Sequence, residues 1–219
     1  ESEALKHAVS SGFRLKLPEI MENLHKKIET GIKIRINRSE RLRILKFING
    51  IEIENIADIS VGMLEEVGKI IAGFDQAMRG FTHPAAYRSH RWNLAEAGQH
   101  MDKLRLVGDP EKRMLLQWGF DQWLRVEKML QGLPWQFIHG DLNRENILVE
   151  NGRVNGVVDF GDACMNPTVC DLAIALAYFM MDQENPLEPE NPNWFGSEQP
   201  AWRLLKQVRS LLRQGRGLQ

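Results

Sequence analysis

The segment His139-Gly140-Asp141-Leu142-Asn143-Arg144-Glu145-Asn146, followed closely by Val157-Val158-Asp159-Phe160-Gly161-Asp162, decides how this chain is read. Between the two, Ile147-Leu148-Val149 has the character of a short apolar strand. Glu150-Asn151-Gly152-Arg153 carries the Asn-Gly hairpin signal, and Val154 to Val158 supplies the partner strand. A hairpin folds its ends together, so Asp141, Asn146 and Asp159 are expected to converge near one rim. Two carboxylates and one amide oxygen suit a hard divalent cation that also holds phosphate oxygens; magnesium keeps several waters and needs few protein ligands. The bland alternative makes His139-Gly140-Asp141 a turn and Asp159 a strand-end aspartate. Four fixed residues at about 5% frequency each recur by chance in about 1 of 1,000 chains of this length, which weighs against it.

Upstream, Ala4 to Val9 ends a helix stopped by Ser10-Ser11-Gly12, and Lys26-Lys27 to Arg35 alternates as a half-exposed strand does. Arg41 to Ile53 is expected to be a strand with a break at the Asn49-Gly50 turn signal. Ser60 is a candidate N-cap. Val61, Leu64, Val67, Ile71, Phe74 and Met78 follow at helical spacing until Gly80. Asp109-Pro110 opens a further helix with apolar positions at Leu115, Trp118 and Val126, closed by Gly132. Downstream, a helix starts near Asp171, and Leu172 to Met181 reads as a buried helix. The proline-rich stretch Gln183 to Pro200 reads as loop, and a last helix from Ser197 buries Trp202, Leu205, Val208 and Leu212.

Bulk properties exclude some functions. Hydrophobic residues at 43% and charged residues at 26% are those of an ordinary globular chain, and 219 residues suffice for one domain or two small lobes. A formal net charge of -1 gives no electrostatic case for nucleic acid. No apolar run approaches the roughly 20 residues that span a bilayer, so no membrane association is expected. The Glu1-Ser2-Glu3 start shows no signal-peptide pattern. The cysteines, Cys164 and Cys170, lack zinc-site spacing and read as free buried thiols, and a cytoplasmic location is the expectation.

The motif residues resemble the protein-kinase-like superfamily. Its catalytic loop is a His-x-Asp with an Asn five residues on, followed by an Asp-Phe-Gly metal site. Gly140, where protein kinases carry arginine, points to the aminoglycoside phosphotransferase and choline kinase branch. Within it the chain is similar to hydroxylysine-kinase-like proteins and to phosphotransferase domains fused to aminotransferase-like enzymes that use pyridoxal phosphate. That similarity is carried by Arg41-Leu42-Arg43-Ile44-Leu45-Lys46-Phe47-Ile48-Asn49-Gly50, Phe81-Thr82-His83-Pro84-Ala85, Trp92-Asn93-Leu94, Asp159 through Tyr178, and Ser197-Glu198-Gln199-Pro200-Ala201-Trp202. The resemblance implies an α+β, protein-kinase-like, bilobal fold. Residues 1–50 would form a partial N-lobe with the hinge, and 51–219 a mostly helical C-lobe bearing the catalytic loop.

By the same resemblance, Asp141 is the catalytic residue that accepts or orients the substrate hydroxyl. Asn146 and Asp159 would hold Mg2+ on the phosphates of ATP, and backbone groups at Lys46, Phe47 and Ile48 would meet adenine. His139 is expected to hold the loop, and Asp171 to cap its helix or anchor the catalytic loop. Asp162 is either a turn residue or the partner of a cationic group on the substrate. The implied activity is phosphorylation of the hydroxyl of a small amino alcohol, hydroxylysine- or ethanolamine-like. Choline, homoserine and aminoglycosides remain alternatives, and so does a non-catalytic kinase-like binding module. The chain departs from the pattern in having no Gly-rich loop and no Val-Ala-x-Lys-like strand. Glu1 to Ser10 resembles the first N-lobe helix, with Glu1 or Glu3 as partner of the missing lysine. The expectation is therefore an incomplete view of a longer protein, with fusion to a pyridoxal-phosphate enzyme as one possibility.

Overall fold

Leu64, Val67, Ile71 and Phe74 recur at helical spacing along helix α2 (Val61–Ala77), and all four are buried. Against this face pack Ala4, Leu5 and Ala8 of α1 (Ser2–Ser10) and, from the other side, Phe137, Leu142, Ile147 and Phe160. The computed structural model describes residues 2–18, 45–53 and 61–181. The expected strand at Lys26 to Arg35, the Ser60 cap, the loop Gln183 to Pro200 and the last helix lie outside those residues. Phe74 gathers three rings: Phe13 at 5.7 Å, Phe160 at 5.6 Å and His139 at 6.4 Å between centroids. Each such buried side chain contributes about 1.5–3 kcal/mol by leaving water.

Two small sheets carry the motif. Strands β3 (Ile147–Glu150) and β4 (Arg153–Val157) form the expected hairpin. Asn151 and Gly152 have φ of 53° and 74°, the pair of positive values a type I′ turn demands. The register is Ile147↔Val157, Leu148↔Gly156, Val149↔Val154 and Glu150↔Arg153, which leaves Asn155 as the extra residue of a bulge. Its side chain donates instead to the carbonyl of Asn49, at 2.6 Å. The short strand β1 (Ile51–Glu52) adds antiparallel to β3, in the order β1-β3-β4. In the second sheet β2 (Trp135–Ile138) pairs antiparallel with β5 (Cys164–Pro167).

The registers position the site. Ile138 pairs with Cys164 where β2 ends and β5 begins, and Ile147 pairs with Val157 where β3 begins and β4 ends. The two connections between these pairs, 139–146 and 158–163, must therefore lie side by side.

Three expectations are corrected. Within the described part of Arg41 to Ile53 only Ile51–Glu52 is a strand of a sheet, and Phe47 is 83% exposed. Helix α3 (Pro110–Leu130) starts as expected, with the Asp109 carboxylate accepting from Glu111 N–H at 2.9 Å and Lys112 N–H at 3.2 Å. Its apolar positions Leu115, Trp118 and Val126 are nonetheless exposed, because α3 packs mainly on the 3-10 run Leu94–Leu106 through its other residues, Trp123 among them. Helix α4 (Val169–Met180) begins two residues before Asp171, and its burial is one-sided: Ala175 and Phe179 are buried while Ala173 and Ala177 are exposed. Cys164 and Cys170 are free and buried, as expected.

Ile71→Ala is expected to lower unfolding free energy by about 2–5 kcal/mol, the usual range for an emptied aliphatic core site. Leu115→Ala, on the exposed face of α3, is expected to change it by no more than about 0.5 kcal/mol. Urea titration of both variants checks the contrast, and a Leu115 effect as large as that of Ile71 would show that this face is covered.

Candidate active site

The catalytic-loop segment is hung from a buried carboxylate. Asp171, fully enclosed near the start of α4, accepts from the backbone N–H of His139 at 3.0 Å and of Gly140 at 2.9 Å. It is thus an anchor for the loop, one of the two expected roles. Burial raises its pKa to about 6, against the pull of the two N–H donors and with a further push from Asp141. Asp75 of α2, also buried, is raised well above its usual value by burial first and by Asp171 second; Gln136 donates to its Oδ1 at 2.9 Å.

His139 holds the loop from inside. Its Nε2 lies 3.0 Å from the Val158 carbonyl, and its Nδ1 accepts from the Asp141 N–H at 3.2 Å. That pair of contacts requires the neutral ring protonated on Nε2. Burial lowers the pKa to about 4, outweighing the Val158 carbonyl and Asp159, which favour the cation. His139 therefore links the 139–146 connection to the 158–163 connection through the core.

The Asp141 carboxylate is fixed by two amides. Asn143 Nδ2 donates to Oδ1 at 3.0 Å, and Asn146 Nδ2 donates to Oδ2 at 2.9 Å and to the Asp141 carbonyl at 2.8 Å. Donation through Nδ2 turns the Asn146 carbonyl oxygen away from Asp141. Asn143 Oδ1 in turn accepts from Glu145 and Asn146 N–H at 2.8 and 3.0 Å. Asn143 is thus a site residue that the sequence reading did not single out, although it stands in the quoted motif. The Asp141 pKa is raised, chiefly by burial and also by Asp162 and Asp159, while its two amide partners pull the other way.

Asp159 stands at φ 57°, ψ 72°, a left-handed position that costs a non-glycine residue about 1–2 kcal/mol, and its Oδ1 accepts from Gly161 N–H at 3.0 Å. Gly140, at φ 80°, lets the two connections touch: a Cβ there would lie 2.8 Å from the Asp162 carbonyl oxygen. Among the described residues no three His, Cys, Asp or Glu side chains form a ready cation cage. Asn146 and Asp159 together fit a magnesium ion that keeps water and phosphate oxygens as its remaining ligands.

The remaining candidates are more scattered. Asp162 is partly buried, and its Oδ1 lies 3.4 Å from His90 Nδ1. Phe47 is exposed, while Ile48 is buried over Gly156, whose Cβ position is 2.9 Å from Ile48 Cγ2. Lys46 is exposed on the same segment. Glu3 faces His83 Nε2 at 3.5 Å. A cavity of about 490 Å³ bordered by Glu3, His83, Arg88, Phe160 and Gly161 has none of Asp141, Asn146 or Asp159 in its wall.

A model of the phosphotransferase enzyme family (APH) matches residues 1–207. The chain belongs to this family. Among curated proteins it is similar to hydroxylysine kinase of Mus musculus, 29% identical over 169 residues that make up 69% of this chain and 44% of that one. It is also similar to homoserine kinase of Gluconobacter oxydans, 27% identical over 164 residues, 73% of this chain and 50% of that one. The chain thus spans about half the length of the curated relatives it matches. Among solved structures, an amicoumacin kinase in complex with AMP-PNP and Ca2+ superposes with a TM-score of 0.62 at 14% identity, covering 97% of this chain and 60% of that one. A glucosamine kinase superposes at 0.60 and 14%, covering 98% and 58%. These likenesses establish the fold as α+β and protein-kinase-like, as expected. No helix among the described residues is long and apolar enough to cross a membrane.

The shifted groups give opposite acid responses. His139 is held at about 4 against an ordinary 6.5. The unfolded chain therefore takes up this proton first, and stability present above pH 6.5 is lost as the pH falls toward 4. Asp171 is held at about 6 against 3.8, so its contribution is present below pH 3.8 and is lost as the pH rises through 6. His139→Asn is expected to lower stability at pH 7 by about 1–3 kcal/mol. On acidification from pH 6.5 to 4.5 its urea midpoint should fall less, or rise more, than that of the native protein, since the variant keeps the opposite contribution of Asp171 and loses that of His139; a native-like acid slope in the variant would contradict the buried neutral ring.

Proposed function

We propose that this chain carries the catalytic and metal-binding part of an ATP- and magnesium-dependent phosphotransferase. The acceptor in this reading is the hydroxyl of a small amino alcohol, hydroxylysine- or ethanolamine-like. The observation that carries the proposal is the Asp141–Asn146 pair: one amide fixes the carboxylate and turns its own oxygen outward, beside a connection bearing Asp159. A binding module has no need of that arrangement. The names of the relatives support the acceptor class, since hydroxylysine and homoserine each join a hydroxyl to an ammonium group.

Asp141, held by Asn143 and Asn146, accepts the proton of the acceptor hydroxyl as its oxygen bonds to the γ-phosphorus and the bond to the β-γ bridging oxygen breaks, releasing ADP. Its raised pKa makes it a better base than an ordinary aspartate. Asn146 and Asp159 would hold magnesium, which would supply positive charge to neutralise the phosphates. Asp171 acts on the backbone of the 139–146 connection, and His139 ties that connection to Val158 of the other. Asp162 receives the acceptor's ammonium group, and the backbone of Lys46 to Ile48 meets adenine. The setting that fits this reading is the cytoplasm, where ATP is plentiful and thiols stay reduced.

In the full-length protein, mixed with ATP, magnesium and a panel of amino alcohols, Asp141→Ala is expected to lower turnover by roughly 10²-fold or more, the scale of a lost general base. A loss of tenfold or less in a folded variant removes Asp141 from this role. Asp159→Ala is expected to abolish magnesium-dependent nucleotide binding, and unchanged affinity by calorimetry would count against the metal assignment. Absence of ADP release with every acceptor would favour a non-catalytic module.

A further inference from the structure

Residues 88–93 have no helix or strand, yet they lie alongside 161–166 in steady register. The Arg88 guanidinium donates to the carbonyl oxygens of Gly161 and Ala163, the latter at 3.2 and 3.3 Å from its two nitrogens. His90 stands between Asp162 and Cys164, with Nδ1 3.4 Å from Asp162 Oδ1 and Nε2 3.5 Å from Cys164 Sγ. Asn93 Oδ1 accepts from Asn166 Nδ2 at 2.8 Å. The strip is held from behind as well. Gln99 and His100 side chains bond to the carbonyls of His90 and Arg91 at 3.3 and 2.6 Å, and Trp123 Nε1 of α3 donates to Leu94 O at 3.0 Å.

We infer that Arg88 is a positioning residue for the metal-holding turn 159–163. This rests on the phosphotransferase reading for the identity of the metal, and on geometry for the rest. The turn has little hydrogen bonding of its own: Gly161 N–H to Asp159 Oδ1 at 3.0 Å, and Ala163 N–H to Phe160 O at 3.3 Å. Arg88 fixes the next peptide along, the one between Gly161 and Asp162, through the Gly161 carbonyl. A planar guanidinium holds two carbonyls in one geometry, whereas a lysine ammonium is a single point charge and holds them less well. Without that hold the 161–162 peptide turns about the Gly161 Cα, which has no side chain to resist it; the neighbouring Gly161 N–H then drifts from Asp159 Oδ1, and the Asp159 carboxylate loses its direction. Arg88 itself is exposed and touches neither the motif carboxylates nor the catalytic loop in any contact described above. Through Leu94 and Trp123 the same strip ties the turn to α3.

The test uses the full-length protein and the variants Arg88→Ala and Arg88→Lys. Calorimetric titration with Mg2+ and AMP-PNP is expected to show affinity reduced about tenfold or more in Arg88→Ala, in keeping with a lost partner behind a metal ligand, and partial recovery in Arg88→Lys. Melting temperatures should stay within about 2 °C, since exposed contacts add little to stability. In the metal-free protein, amide hydrogen exchange should quicken at 159–163 in Arg88→Ala and not at 147–157. Unchanged exchange at 159–163 overturns the positioning role, as does native affinity in Arg88→Ala. A loss of affinity matched by a large fall in melting temperature and by faster exchange throughout also overturns it, leaving a residue of the fold. If native protein binds no Mg2+ and AMP-PNP while exchange at 159–163 still quickens in Arg88→Ala, the phosphotransferase reading fails and the restraint on the turn stands.

Discussion

A buried carboxylate with two backbone N–H groups bonded to it holds this structure's functional face in place. Asp171 is fully enclosed, and among the described residues it accepts from the amides of His139 and Gly140. Burying an unpaired carboxylate costs several kcal/mol, so the loop that satisfies it is held by the same free energy that would otherwise expel the charge. The raised pKa of Asp171 records how incomplete that compensation is. A second enclosed acid, Asp75, sits close enough to push it further. Core packing around Phe74 supplies the stability that lets two buried acids persist.

From that anchor the geometry propagates by short steps. Asp171 fixes the amides of residues 139 and 140, the His139 ring fixes Asp141 N–H on one side and Val158 O on the other, and Asn146 then fixes the Asp141 carboxylate. Each link spans one hydrogen bond with no water between its partners. Small errors therefore do not accumulate as they would along flexible side chains. The strand pairs Ile138↔Cys164 and Ile147↔Val157 clamp both connections at their ends, so the polar chain only has to set the orientation of a few peptides and side chains.

Much of this was legible in the sequence because the signals were local. The Asn151-Gly152 turn demands positive φ at both positions, the Asp109-Pro110 cap needs no tertiary partner, and the α2 stripe repeats at the helical period. The hairpin signal likewise foretold that its two ends meet, and the Val158 N–H donates to the Asn146 carbonyl at 3.0 Å. What escaped was what depends on distant contacts. Leu115 and Trp118 have the spacing of a core face, yet period alone does not say whether anything packs there. The strand expected around Phe47 failed in the described part for the same reason. Arg88 and His90 carry no local signal at all, since their partners lie more than seventy residues away. Asn143 was visible but looked like filler between Asp141 and Asn146, because its role is to order the backbone between them.

The contact at Gly140 bears on how such a protein can diversify. Any side chain at that position would collide with the Asp162 carbonyl, so the spacing between the two connections is closed to gradual change by mutation. New acceptor preferences then have to arise in segments that border the rim without passing between its two halves. A glycine pressed on a carbonyl thus acts as a fixed spacer between the two halves of the rim, and room for change is left only in what surrounds it.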